Sequence, residues 1–270
     1  MSEQLELFPA ATQPTANPVN GMDVKLISFT GKGAPDEQWA AADLLLFTKS
    51  TRLEMRPNLL QSIKEMSIGQ KLAELDYMSR TIPSSWEFVD YTFLVTGVSR
   101  AYTHQQVRTR AASYAQQSMR VVNVSDFDYI FTERNKENPK AMLVLEDALV
   151  AVKRAYAKLI SLGQPVEDAR GILPTNISTN IVCKFNMRTF VDLAKARTGG
   201  RTQNEYQRVV NKMVDAVLAV HPWMDKFLHG DLGRNYFDEI EEFAEQQFGG
   251  DLVTKGKLLK IVDKMRKDAR

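Results

Sequence analysis

Cysteine is almost missing from this chain: Cys183 is the one among 270 residues, which leaves no partner for an intramolecular disulfide and no ligand set for a cysteine-rich zinc site. Histidine is nearly as scarce. His104, His221 and His229 fall at spacings that build neither a Ser/His/Asp arrangement nor a metal site, so no metal is expected. Charge of one sign is lacking too: 35 basic against 33 acidic side chains leave +2, too little for a general nucleic-acid surface, and each arginine must be read in its own neighbourhood. No apolar run approaches the roughly 20 residues a membrane span needs, and the acidic, Pro-bearing start is unlike the Lys-led apolar start of a signal peptide. Gly31-x-Gly33 and Gly199-Gly200 lack the strand-turn-helix setting of a dinucleotide fingerprint. What is present, 44% apolar and 25% charged residues, is the make-up of a soluble protein with one sizeable core or two small ones, expected in a reducing cytoplasm.

Residues 1–21, with Pro9, Pro14 and Pro18 among Ala, Thr, Asn and Gln, bury too little surface to offset the entropy of ordering and read as a flexible tail. Strands are expected over 23–30, 88–98 and 177–185, the second from its β-branched and aromatic residues alternating with Asp90, Thr92 and Thr96. Helices are expected over 36–49, 59–78, 141–162, 187–196 and 203–220. In the third of these the apolar face is Leu145, Leu149, Val152, Tyr156 and Leu159 or Ile160, and in the last Tyr206, Val209, Val210, Met213, Val217 and Val220. The chain from 236 to 270 reads as a helical, Lys/Arg-rich extension, and 22–235 as the main domain.

The segment QQVRTRAASYAQQSMR, Gln105 to Arg120, concentrates polar anchors for an anion behind an apolar strand. Arg108 and Arg110 are about 200° apart on a helix, so a helix carrying Gln105 and Arg108 ends there and the chain turns through Ser113 to Ser118 and Arg120. Taken singly, each arginine is more commonly a surface ion-pair partner. Asn186 at a strand end reads equally as a turn residue, Asp192 more commonly as a solvated carboxylate, and Cys183 as a packed, inert thiol rather than a catalytic one.

Together these residues resemble the signature of the flavin-dependent thymidylate synthases, Arg-His-Arg-x-x-Ser then Ser-x-Arg, with Thr109 standing at the histidine. The resemblance extends over about 83–223: Ser84-Ser85-Trp86-Glu87-Phe88, Gly97-Val98-Ser99-Arg100, Ala169-Arg170-Gly171-Ile172-Leu173-Pro174, Asn186-Met187-Arg188, and Arg197 with Gln203 and Glu205. It implies an α/β, mixed α+β fold in which long helices flank a central sheet, assembled as a homotetramer with shared active sites. It implies that Ser118, Arg120 and Arg170 hold the phosphate of dUMP while Gln105, Gln116 and Arg197 face its sugar and uracil. Ser84, Arg108, Thr109, Arg110, Asn186, Arg188, Asp192 and Arg201 fall at flavin adenine dinucleotide (FAD) positions, with Arg108 and Arg197 in the catalytic roles.

The implied reaction transfers a one-carbon unit from methylenetetrahydrofolate to C5 of dUMP and gives dTMP, with NADPH or another reductant recharging the flavin. Imidazoles are replaced around the implied flavin: Thr109, Val121, Phe88, Ile82 and Arg201 stand where the family has histidine or tyrosine. That motivates an alternative, a dUMP hydroxymethylase giving 5-hydroxymethyl-dUMP in a virus that modifies its DNA, the enzyme then lying in the host cytoplasm. A third reading, a non-catalytic nucleotide-binding or replication protein, comes from Gln4-Leu5-Glu6-Leu7-Phe8, which resembles the peptide that docks on the bacterial sliding clamp.

Overall fold

The computed structural model describes residues 21–119, 128–198, 203–229, 236–248 and 250–268; the pentapeptide at 4–8 and Arg120, Val121 and Arg201 lie outside the described residues. The strands are β1 (Asp23–Phe29), β2 (Asp90–Ser99), β3 (Ala112–Gln116) and β4 (Ser178–Asn186). Along the chain the helices are α1 (Glu37–Ser50), α2 (Leu59–Lys64), α3 (Ile68–Arg80), α4 (Arg100–Gln106), α5 (Glu133–Lys136), α6 (Pro139–Ser161), α7 (Val166–Ala169), α8 (Met187–Arg197), α9 (Asn204–Val220), α10 (Asp225–Leu228), α11 (Tyr236–Phe248) and α12 (Leu252–Asp268). Packing divides the chain into two compact units, one of residues up to 41 with 86–222, the other of 42–85 with the residues from 223 onward.

The first unit is organised by a four-stranded sheet in the order β1-β2-β4-β3, every neighbour antiparallel. Period-two alternation sets its faces: Tyr91, Phe93 and Val95 of β2 and Thr179, Ile181, Cys183 and Phe185 of β4 are buried, and the register pairs Tyr91 with Phe185, Phe93 with Cys183 and Val95 with Ile181. Phe190 of α8 caps this face, stacked on Phe93 at 5.5 Å between ring centroids and tilted on Tyr91 at 5.7 Å. α9 packs beside it, presenting Tyr206, Val209, Val210, Met213 and Val217 at helical spacing, all buried. The fold is mixed, with an antiparallel sheet and helices, and no described helix is long and apolar enough to cross a membrane.

β2 carries the bend that aims its end at the site. Its register shifts between Val95 and Val98, where Gly97 takes φ +64° and donates its amide to Asn180 Oδ1 at 3.1 Å. Ser99 then caps α4, accepting from the Tyr102 amide at 3.1 Å.

Three expectations need correction. The chain after Arg110 is a strand for five residues, not a turn: β3 pairs with β4 at the sheet edge, Tyr114 opposite Cys183, and its short polar sequence hides the alternation that packing imposes. The helix before it stops at Gln106, with Val107 as its C-cap, so Arg108 lies just beyond the helix and not on it. The helix expected over 59–78 is two, because Ser67, extended at ψ 153°, opens α3 with a capping box to Gln70. α6 follows expectation on its buried face, Leu149 and Tyr156, while Leu143, Val144 and Val150 on other faces are exposed.

The second unit, taken by itself, is helical. Leu45 and Leu46 of α1, Leu75 and Met78 of α3, and Phe227 of α10 are buried, and Lys71 pairs with Asp43 at 2.6 Å with both side chains nearly inaccessible.

His221, at the C-cap of α9 in the first unit, is wholly buried. Its Nδ1 accepts from the Tyr91 hydroxyl at 2.9 Å and its Nε2–H donates to the Glu37 carbonyl at 3.3 Å, a pattern that fits the neutral ring, while Phe29 lies edge-on at 5.3 Å. Burial, opposed by the Glu37 carbonyl, pulls its pKa down to about 4. The unfolded chain therefore takes up this proton from about pH 6.5 downward while the folded chain does not until about pH 4, so stability present above 6.5 falls across that window by roughly 3 kcal/mol. Urea midpoints at pH 7.5 and pH 5.0 check this: the stability gap between the protein and His221→Gln narrows at the lower pH, and a constant gap would show that His221 is not the titrating group.

Candidate functional site

Glu205 in the first turn of α9 fixes the start of α4. One carboxylate oxygen accepts the Ser99 amide at 2.7 Å and the other the Ser99 hydroxyl at 2.6 Å. At the far end of α4, Gln105 bonds the side chain of Gln203, so α9 holds α4 at both ends. The turn that follows is pinned from below: the Tyr114 hydroxyl lies 2.9 Å from the Gln106 carbonyl and 2.8 Å from that of Thr109, sharing its one proton between them. Burial is the main force pushing that phenol up to about 12, so it stays a donor. Arg108 and Arg110 project from this pinned turn into solvent and form no ion pair among the described residues. Gln116 of β3 donates to Thr103 Oγ1 at 2.8 Å, which seats it against α4.

A second cluster gathers at the other end of β3. Arg100, the first residue of α4, donates to the Gln117 carbonyl at 2.9 Å, beside Ser118, and its buried Nε has no partner. Loss of water and then the charge of Arg170 hold the Arg100 pKa below its usual value, so the two guanidiniums lie within electrostatic reach of each other. Neither forms an ion pair among the described residues, although Arg170 is fixed by its Nε–H donating to the Glu167 carbonyl at 3.1 Å. Two like charges drawn together without a carboxylate are the electrostatic complement of a multiply charged anion. Arg100 was not among the sequence candidates, since nothing in Ser99-Arg100-Ala101 separates it from a solvated helix residue; only its contact with Gln117 does.

The third group lies at the β4–α8 junction. Asn186 caps α8 through Oδ1, accepting from Thr189 at 2.9 Å. Arg188 pairs with Glu87 at 2.8 Å, and Asp192 is exposed one turn on. Ser84, in the second unit, is exposed and receives Arg52 at 3.4 Å. Arg197, at the end of α8, is half-buried with its guanidinium 5.1 Å from the ring centroid of Tyr206. Cys183 is buried mid-strand, its thiol pushed up to about 12 by burial, which removes it as a nucleophile. Among the described residues no group of three or more His, Cys, Asp or Glu gathers as a metal site.

The Arg100–Arg170 cluster makes a direct prediction. Phosphate at ten times its dissociation constant stabilises the protein by about 1.4 kcal/mol over chloride at equal ionic strength. Arg100→Leu raises the melting temperature without anion, by removing a partly buried like charge, and abolishes the phosphate-dependent rise; a thermal-shift series in the two salts reads both.

The family described as thymidylate synthase complementing protein matches residues 25–223 of this chain. A flavin-dependent thymidylate synthase from Clostridium tetani is 33% identical over 224 residues, covering 77% of this chain and 86% of that one. One from Geobacter sulfurreducens is 35% identical over 162 residues, covering 59% and 70%, and one from Sulfurisphaera tokodaii 36% identical over 138 residues, covering 51% and 54%, so the chain spans about half the length of the last.

Proposed function

Because this chain belongs to the thymidylate synthase complementing protein family, we propose that it methylates C5 of dUMP, taking the one-carbon unit from methylenetetrahydrofolate and giving dTMP. The observation that carries this reading is that Arg100 and Arg170 lie within electrostatic reach of each other without an ion pair among the described residues, Arg100 bonding the Gln117 carbonyl next to Ser118 in the chain, which suits a nucleotide monophosphate dianion. Ser118 and Arg170 hold the phosphate together with Arg120, and Gln105, Gln116 and Arg197 face sugar and uracil. When bound, FAD supplies the hydride, recharged by NADPH or another reductant.

The residues implied for that cofactor fit it. Arg108 and Arg110 are exposed and unengaged by carboxylates among the described residues, which suits a pyrophosphate and the electron-rich edge of a reduced ring. Arg188 joins them by exchanging Glu87, an exposed pair that costs little to open. Thr109, Asn186, Asp192, Ser84 and Arg201 complete the proposed set.

In the reaction, Arg197 donates to the uracil carbonyl as negative charge builds in the ring, so C5 becomes nucleophilic without attack by a protein thiol. The inert Cys183 is consistent with that route. A second reading, hydroxymethylation, is favoured by Thr109, which puts a hydroxyl where the signature has an imidazole. We also place the catalytic domain at 22–235, supported by the family match over 25–223, and the helical extension at 236–270. The protein works in the cytoplasm as a homotetramer, an assembly for which the exposed Leu143, Val144 and Val150 of α6 offer apolar surface. The peptide at 4–8 serves as a tether to a sliding clamp.

Incubation with dUMP, methylenetetrahydrofolate, FAD and NADPH, followed by mass analysis, tests the function: methylation adds about 14 Da and hydroxymethylation about 30 Da. Arg197→Ala lowers the turnover number about a hundredfold, the usual cost of losing one preorganised donor to a developing oxyanion. A colourless protein with no affinity for dUMP would end this reading. Light scattering on a sizing column reports four copies of the 30.6 kDa chain if the assembly is right.

A further inference from the structure

Tyr206 was read from its spacing as one of several core residues of α9, yet its hydroxyl sets it apart. The residue is fully buried, and no group meets its hydroxyl in full hydrogen-bond geometry, although Thr109 and Arg197 lie close enough to act on it. Phenylalanine would fill the same apolar position without burying a polar atom that lacks a well-formed hydrogen bond, so packing alone does not account for the hydroxyl. Its ring is met by Tyr102 and Arg197, on a helix start that its neighbours fix. Glu205, the preceding residue, grips Ser99; Gln203, three residues back, bonds Gln105; and Tyr102 meets the ring edge-on at 5.3 Å and 81°. The remaining face is covered by the Arg197 guanidinium at 5.1 Å. Burial raises the phenol pKa while Thr109 and Arg197 act against that rise, which places those two groups beside the oxygen.

We propose that Tyr206 is a positioning residue for Arg197, its ring face seating the guanidinium that meets the pyrimidine and its hydroxyl filling the corner beside Thr109. The proposal rests on the reading of the site as one for dUMP. A guanidinium on a long stem otherwise samples many rotamers, and a fixed aromatic face out of water restricts it to a plane. Thr109, standing where the signature has a histidine, leaves that corner to a hydroxyl, and the phenol arrives from α9 to share it. The site thus draws an aromatic group from a different element.

A double-mutant cycle on the FAD-loaded protein, with dUMP affinity read by calorimetry and turnover by product formation, tests the idea. Tyr206→Leu weakens dUMP about tenfold, the size expected for one desolvated cation–π contact. Tyr206→Phe keeps the ring, so dUMP affinity stays within about twofold and the melting temperature holds or rises, while turnover falls through loss of the hydroxyl. In an Arg197→Ala background Tyr206→Leu produces no further loss of affinity. If Tyr206→Leu fails to fold, Tyr206→Met takes its place in the cycle. Equal losses in both backgrounds, or full turnover in Tyr206→Phe, would overturn the proposal while leaving the dUMP site intact. Absence of dUMP binding by the unmutated protein would overturn the site reading and this proposal with it.

Discussion

The grip of Glu205 on Ser99 is the interaction on which the rest of the site depends. Ser99 ends β2 and caps α4, so one carboxylate ties the sheet, the helix leading to Arg108 and the first turn of α9 together. Both oxygens are used, each on a different donor of the same residue, which fixes direction as well as distance. The arrangement also explains why α9 begins where it does. Gln203 reaches Gln105, Glu205 reaches Ser99, and Tyr206 reaches under Arg197, so the N-cap and two residues of the first turn each serve a different part of the candidate site. A shift of α9 by one residue would misplace all three at once, and the buried stripe from Tyr206 to Val217 against the sheet is what prevents that shift.

How much of this was legible in the sequence depended on whether packing or polar contacts decided the structure. β2, β4, α8 and α9 were found because their apolar residues recur at the period of the element that buries them. β3 was missed because Ser113, Ala115 and Gln116 carry no apolar alternation; its strand character comes from pairing with β4 and from Tyr114 anchored beneath the α4 end. The break between α2 and α3 was written in Ser67 and Gln70 but was outvoted by the apolar period running through it. Among the residues of the proposed site, Gln105, Gln116, Arg170 and Arg197 were implied by the family signature. Arg100 and Tyr206 were not, because their significance lies in contacts between distant segments: Arg100 with Gln117 and Arg170, Tyr206 with Arg197.

The low net charge sharpens the electrostatic reading. With 35 basic and 33 acidic side chains, most arginines and lysines can find a carboxylate, and many do: Arg188 with Glu87, Lys184 with Asp90, Arg208 with Glu133. Against that background Arg100 and Arg170, like Arg108 and Arg110, form no ion pair among the described residues, and Arg100 and Arg170 are in addition close enough for the charge of one to act on the other. Such a cluster has a cost in the free protein, which an anionic ligand reverses. Stability and affinity are therefore opposed at these residues.

The two ends of the proposed nucleotide site use different physics. At the phosphate end, charge does the work in a partly open setting, where Arg100 reaches the backbone of Gln117 and affinity responds to salt. At the base end, Arg197 is half-buried over an aromatic ring, Gln116 is seated on Thr103, and Tyr114 holds the turn, so direction matters more than charge. A ligand that carries phosphate but no pyrimidine satisfies the first end alone. The energy gained there anchors the nucleotide without favouring any step, whereas the base end, fixed before the ligand arrives, can favour the charge that develops in the ring over the ground state. On the proposed reading, selectivity and rate then reside in Arg197 and its supports, while the arginine pair at the phosphate end governs occupancy.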